Sequence, residues 1–162
     1  MFNADLAQLT LFRDFNAEQL EMLRPLFTYF YMPADSVVFD QGEIAEFFYI
    51  LVEGEVAIRY KPDDGPLLVV TRVHPEAVIG WSAAIGSPLY TSSAVCTSEC
   101  KILRVQGEKL REFYQTHPGT GGMFLERLAT MIERRLRSNH PQLMALLEQG
   151  MSIRLDRLAP AV

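Results

Sequence analysis

The stretch that decides the fold is residues 77–95, which read AVIGWSAAIGSPLYTSSAV. Gly80 follows an apolar, strand-like segment, and residues 81–85 are long enough for one helical turn. Residues 86–88 then interrupt that turn, and strand-like sequence resumes at Thr91. The pattern predicts a strand that runs into a short helix and returns as a strand.

This arrangement suits an anion. The start of a helix has backbone N–H groups with no partner inside the helix, and with the helix dipole they attract negative charge. The small residues Gly80, Ser82, Ala83 and Ala84 let a phosphate approach the backbone closely. On the local pattern alone, the alternative is the corner of a barrel, with a one-turn helix that binds nothing.

The composition indicates one folded domain with a helical appendage. The chain has 162 residues, of which 49% are hydrophobic and 22% charged. A chain of this length buries roughly two-thirds of the surface that it exposes when unfolded, so a substantial core is expected. The net charge of −5 argues against a general surface for nucleic acid or anionic membranes.

The cysteines and the termini point to a cytoplasmic protein. Cys96 and Cys100 lie in one strand-rich region, where residues four apart along a strand are too distant to bridge, so we expect reduced, buried thiols. No cluster of Cys and His has metal-ligand spacing, and no metal is expected. No apolar run reaches the roughly 18 residues of a membrane helix, and the N-terminus does not resemble a signal peptide.

The periodicity changes twice along the chain. Residues 11–27 predict an N-terminal helix, with Asn16 as its cap and Gln19 reaching back to it. Residues 28–105 contain about eight short segments rich in β-branched and aromatic residues, separated by Gly, Pro and Asp. Many short strands at this spacing predict an antiparallel sandwich or roll, similar to a jelly roll.

The chain becomes helical after Gln106. A short helix is predicted to end at His117 and Pro118, and a long helix to span residues 122–138. The glycine-rich residues 118–122 between them predict either a hinge or an insertion loop. Residues 139–162 predict one more short helix and a weakly amphipathic tail.

Several segments resemble the cyclic nucleotide-binding domain of the catabolite activator protein and protein kinase A regulatory subunit family. The resemblance is carried by residues 48–56, FYILVEGEV, by the turn at residues 41–43, QGE, and by Ile79 followed by Gly80. It implies a mainly β fold, with a double-stranded β-roll followed by a short helix and a long C-terminal helix. Residues 1–138 then form the domain, and residues 139–162 add no separate DNA-binding domain.

The resemblance also locates a phosphate-binding cassette at residues 80–92. In the family, a Glu after the Gly binds the ribose, and an Arg before a small polar residue pairs with the cyclic phosphate. In this chain Trp81 stands at the Glu position, Tyr90 at the Arg position and Thr91 at the small polar position. The implied ligand-binding residues are Gly80, Trp81, Ser82, Ala83, Ala84, Tyr90, Thr91 and Ser92, with Asn139 and His140 on the base side.

The two aromatic residues leave three alternatives open. Trp81 and Tyr90 fill the pocket and leave it without a ligand, or they line a pocket for a flat or less charged ligand, or they only pack. A phosphate without a guanidinium loses a charge-assisted pair worth about 1.5–3 kcal/mol per hydrogen bond. We therefore expect cyclic AMP or cyclic GMP to bind weakly, if at all.

Three functions follow from these residues. The first is a regulatory sensor that couples a small ligand in the β-roll to the C-terminal helix, and the second is a ligand-free structural or dimerisation adaptor. The third is a transcription regulator without its own helix-turn-helix, so no direct DNA binding is expected. Catalysis is not expected, because His74, His117 and His140 each precede a proline and form no acid–base set. A homodimer through residues 122–138, or another protein partner, is expected.

Overall fold

The structure is a computed structural model, and it describes residues 6–138. The N-terminal region contains a 3-10 turn at Thr10–Phe12, helix α1 at Ala17–Leu23 and a second 3-10 turn at Arg24–Leu26. The Asn16 side chain accepts from the Gln19 N–H at 2.8 Å, and the Gln19 side chain accepts from the Asn16 N–H at 2.9 Å. This confirms the predicted capping box.

The helix expected within residues 11–27 is shorter than that range, because it begins after its predicted cap Asn16 and ends at Leu23. Asn16 has an extended backbone, with φ −80° and ψ 171°, which a helix cap requires. Pro25 lies in the second 3-10 turn, where its missing N–H costs no α-helical hydrogen bond. The region therefore consists of three short helical pieces.

Eight strands form two four-stranded antiparallel sheets within residues 6–138. One sheet has the order β1-β8-β3-β6 and the other β2-β7-β4-β5. This confirms the double-stranded β-roll of about eight strands followed by helices. The strands are β1 Thr28–Met32, β2 Val37–Phe39, β3 Phe47–Glu53, β4 Val56–Tyr60, β5 Leu68–Val73, β6 Val78–Ile79, β7 Ser93–Cys96 and β8 Cys100–Gln106.

The core lies between the sheets and continues under the helices. Strand β3 is central in its sheet and packs on both faces, which explains its uninterrupted apolar sequence. Its residue Phe48 is fully buried and meets the Phe124 ring edge-to-face at 6.0 Å. Phe12 of the N-terminal region lies 6.1 Å from the same Phe124 ring. One aromatic cluster thus joins the sheet, the N-terminal region and the C-terminal helices.

Three helices follow or interrupt the strands: α2 Trp81–Ile85, α3 Gly107–Thr116 and α4 Pro118–Ser138. Helix α4 begins at Pro118, so the predicted start at residue 122 is wrong, and residues 118–122 form neither a hinge loop nor an insertion loop. Pro118 suits the first helical turn because it needs no N–H partner there. A Cβ on Gly121 would lie 2.8 Å from the Tyr114 Cα, so this glycine allows α3 and α4 to approach closely.

Alanine substitutions at two adjacent glycines test this assignment. Gly121→Ala is expected to destabilise the domain, because the added Cβ lies too close to the Tyr114 Cα. Gly122→Ala is the matched control, because its Cβ meets no atom within 4 Å. In a helix interior that change is expected to stabilise by up to about 1 kcal/mol. Opposite signs in denaturant unfolding confirm the helix, whereas destabilisation by both changes contradicts it.

The cysteines are on different strands, since Cys96 ends β7 and Cys100 begins β8. Both thiols are free and buried, as expected. Burial raises the pKa of the Cys96 thiol to about 12, so it stays protonated at neutral pH. Within residues 6–138, no helix combines the length and the apolar character that crossing a membrane requires.

Candidate functional site

The cassette is centred on helix α2, which confirms the predicted strand, one-turn helix and strand. Left-handed glycines stand at both ends of this helix, Gly80 with φ 72° and Gly86 with φ 83°. Gly80 also faces a crowded interior. A Cβ there would lie 3.1 Å from the Tyr90 ring and 3.2 Å from both the Phe39 ring and the Phe47 carbonyl oxygen.

The small residues of the cassette helix are packed against helix α3. Ser82, Ala83 and Ala84 are all buried. A Cβ on Gly107, the first residue of α3, would lie 2.4 Å from the Ala83 carbonyl oxygen. Gly107 therefore allows α3 to approach the backbone of α2 closely, and the predicted role of Ser82, Ala83 and Ala84 beside a phosphate stays a prediction.

Two side chains of α3 satisfy the last carbonyl groups of the cassette helix. The Arg111 guanidinium donates to the Ala83 carbonyl at 2.6 Å, and the Tyr114 hydroxyl donates to the Ala84 carbonyl at 3.0 Å. Burial raises the pKa of Tyr114, so its hydroxyl remains a donor at neutral pH. These bonds supply partners that a helix end lacks, and they fix α2 to α3.

Tyr90 is buried at the centre of the cassette, with only 4% of its surface exposed. Its ring stacks on Phe39, with centroids 3.9 Å apart and planes inclined by 17°. Its hydroxyl donates to the Phe47 carbonyl at 2.5 Å and accepts from the Phe47 N–H at 3.0 Å. Burial raises the pKa of Tyr90, so the ring carries no charge at neutral pH.

The backbone around Tyr90 is tied to the turn at residues 41–43. The Tyr90 N–H donates to the Glu43 carbonyl at 3.0 Å, and the Gly42 N–H donates to the Tyr90 carbonyl at 2.9 Å. Thr91, which follows, is exposed, and Ser92 is half-buried. The structure thus separates the predicted residues into buried Tyr90 and a more exposed pair.

Trp81 meets the long helix. The Arg135 guanidinium carbon lies 4.3 Å from the centre of the half-buried Trp81 ring, which is a cation–π contact. One guanidinium nitrogen of Arg135 also donates to the Val78 carbonyl at 2.5 Å. Burial lowers the pKa of Arg135 to about 10, so it remains charged at neutral pH.

The sequence analysis did not place Arg135 beside the cassette. One signal was available, because residues seven apart share a helix face. Arg135 follows the buried Leu128 by seven residues, so this spacing predicts that its aliphatic stem faces the body of the domain. The predicted base-side residues Asn139 and His140 lie outside the described residues.

An open groove runs beside the far end of the cassette helix, with a volume of about 320 Å³. Helices α2, α3 and α4 all contribute to its wall. Its lining residues are Ala84, Ile85, Arg111, Tyr114, Gln115 and Leu125.

Comparison with known proteins identifies the class. Residues 30–117 match the family model for the cyclic nucleotide-binding domain, which covers more than half of the chain. The chain therefore belongs to the cyclic nucleotide-binding domain family, as the sequence resemblance implied.

Individual relatives agree with this assignment. The cAMP-activated global transcriptional regulator CRP of Pasteurella multocida is 27% identical over 111 residues, which are 68% of this chain and 51% of that protein. A structure from Geobacter metallireducens, described as a candidate cyclic nucleotide-binding protein, has a TM-score of 0.74 and 26% identity and covers 84% of this chain and 98% of its own. A cyclic nucleotide-binding domain from Methylobacillus flagellatus has a TM-score of 0.79 and 18% identity, with coverages of 89% and 83%. This chain spans about half the length of the curated relatives it matches.

Proposed function

We propose that this chain is a regulatory domain that acts without a cyclic nucleotide, because its own side chains occupy and hold the cassette. The observation that carries the proposal is the burial of Tyr90, which is 4% exposed and bonded at its hydroxyl to both backbone groups of Phe47. The resemblance implies an arginine at this position. A neutral ring there supplies no positive charge for a cyclic phosphate.

Moving Tyr90 aside is costly. Its departure breaks two hydrogen bonds, each worth about 0.5–1.5 kcal/mol net, and one ring stack worth about 0.5–1.5 kcal/mol. A nucleotide has to offset these losses without the guanidinium pair that the family uses. The expected result is an affinity too low for regulation by cyclic AMP or cyclic GMP.

The long helix is the proposed output. Its first half is fixed to the N-terminal region by an ion pair between Arg127 and Asp14 and by a bond of 3.2 Å from the Gln19 amide to the Met123 sulfur. Along its length, Leu125 and Ile132 are only half-buried and Leu136 is 45% exposed. These residues leave an apolar edge for a protein partner, and a homodimer through residues 122–138 stays our prediction. The matched curated relatives are transcription regulators, which supports a regulatory role rather than catalysis.

A second candidate is a sensor of a different small ligand, which the groove beside α2 favours. A molecule there touches the cassette helix through Ile85, helix α3 through Arg111 and the long helix through Leu125. A ligand in this groove therefore contacts the cassette helix and the long helix at the same time, and its binding is expected to affect both. Mass spectrometry of small molecules that co-purify with the native protein tests this candidate.

Isothermal titration calorimetry tests the main proposal. Cyclic AMP and cyclic GMP are each expected to give no saturable heat, which corresponds to a Kd weaker than about 1 mM. A micromolar Kd for either nucleotide overturns the proposal. Titration with the non-cyclic 5′ nucleotides serves as the control for non-specific binding.

A further inference from the structure

We propose that the contact between Arg135 and Trp81 is a conformational device that holds the end of the long helix on the cassette in the absence of ligand. This inference rests on the proposed function, since it assigns to two side chains of the chain the work of positioning the helix. It is distinct from the burial of Tyr90, which concerns the inside of the β-roll.

The position of Arg135 in the helix supports this role. The start of α4 is anchored by Phe124 and Leu128, both of which are buried. Within residues 133–138, the last part of the helix that the structure describes, every side chain except Arg135 is exposed. Arg135 is therefore the side chain that attaches this end of the helix to the domain.

The chemistry of the contact is suited to a reversible attachment. The guanidinium is planar, so it stacks on the indole of Trp81 while its edge donates to the Val78 carbonyl. Neither of these partners carries a charge. The attachment thus binds one cation through an aromatic ring, that of the first residue of the cassette helix, and through a backbone carbonyl of strand β6, which precedes that helix.

Loss of the contact between Arg135 and Trp81 is expected to favour detachment of the end of α4. A cation–π contact changes an equilibrium by roughly 2-fold when it is exposed and by roughly 30-fold when it is desolvated. Removal of the guanidinium is expected to shift the end of the helix toward a detached state by a factor within that range. Detachment uncovers the indole, and it frees the last turns of α4 for local opening.

Trp81 is the single tryptophan of the chain, so tryptophan fluorescence reports on the surroundings of this one ring. The experiment measures quenching of Trp81 by acrylamide, which is uncharged and therefore unaffected by the charge of Arg135. It compares the wild type with Arg135→Met, which keeps a similar stem without the guanidinium. Arg134→Met is the matched control, because Arg134 is the adjacent, exposed arginine. Arg135→Lys tests whether charge without a planar group is enough.

The quenching constant is expected to rise in Arg135→Met, to rise less in Arg135→Lys and to stay at the wild-type value in Arg134→Met. Amide exchange at residues 129–138 is expected to accelerate by roughly 2- to 30-fold in Arg135→Met, while exchange in β3 stays unchanged. Unchanged quenching and exchange in Arg135→Met overturn the inference. If that variant does not fold, Arg135→Gln, which also removes the cation, replaces it, and wild-type quenching and exchange in Arg135→Gln overturn the inference instead.

The failure of this inference is distinguishable from that of the proposed function. A micromolar Kd for cyclic AMP in the wild type, together with increased quenching in Arg135→Met, overturns the proposed function and leaves the contact as the attachment. The absence of nucleotide binding, together with unchanged quenching, overturns the attachment and leaves the filled cassette.

Discussion

Replacing Tyr90 with alanine is expected to lower the free energy of unfolding by about 3–5 kcal/mol, the usual range for a large buried aromatic side chain. The ring is 4% exposed and stacks on Phe39 at 3.9 Å, so its removal leaves a cavity beside Gly80. It also removes the hydrogen-bond partner of both backbone groups of Phe47. Denaturant unfolding followed by circular dichroism measures the change.

Tyr90→Phe separates the hydroxyl from the ring. The ring stays in place, but the Phe47 N–H and carbonyl lose their partner, which costs about 1–3 kcal/mol for a buried group. Tyr31→Phe is the matched control, because Tyr31 is 67% exposed, and its effect is expected to stay within about 0.5 kcal/mol. Equal stability of Tyr90→Phe and the wild type shows that the hydroxyl does not hold the cassette, and removes the main support for a filled site.

The strand pattern and the turn residues predicted an antiparallel sandwich or roll, and the family resemblance narrowed this prediction to the β-roll. Strand β3 has an uninterrupted apolar sequence because both of its faces are covered, and most connections between strands contain Gly, Pro or Asp, the turn at residues 97–99 between β7 and β8 being an exception. The capping box was readable because Asn16 and Gln19 act through local backbone groups. The cassette helix was readable because left-handed glycines at residues 80 and 86 set its ends.

The start of the long helix was not readable from local propensity. Each glycine within a helix costs up to about 1 kcal/mol relative to alanine, so residues 118–122 have the composition of a loop. Tertiary packing reverses this preference, because a larger residue at Gly121 collides with the Tyr114 backbone. The close approach of α3 and α4 is a tertiary contact, and local sequence propensity does not predict it.

The sequence also did not predict which way the side chains of Trp81 and Tyr90 point. A tyrosine near a pocket either lines it or fills it, and the choice depends on partners distant in sequence, here Phe39 and Phe47. Arg135 was hidden for the same reason, since its partners Trp81 and Val78 lie more than 50 residues before it. Spacing identifies a helix face, but it does not identify what the opposite element presents.

The double variant Trp81→Glu with Tyr90→Arg is expected to bind cyclic AMP or cyclic GMP where the wild type does not. It restores the carboxylate and the guanidinium that the resemblance implies for ribose and phosphate. It is also expected to be less stable than the wild type without nucleotide, because an unpaired guanidinium then replaces a neutral ring in a buried position. Nucleotide at 100 times its Kd is expected to stabilise the variant by about 2.7 kcal/mol.

Calorimetry and thermal unfolding with and without nucleotide measure both effects, and two control variants locate their cause. Leu89→Arg adds the same charge at the adjacent residue, which is 46% exposed, and it is expected to bind no nucleotide. If Leu89→Arg binds nucleotide and the double variant with Tyr90→Arg does not, the arginine position of the family corresponds to Leu89. Tyr90 then does not stand at that position. Trp81→Glu alone is expected to pair with Arg135, which lies over that position, and to bind no nucleotide. Tyr90→Arg alone is expected to bind more weakly than the double variant, because the carboxylate orients the ribose while the guanidinium supplies the charge that Tyr90 lacks.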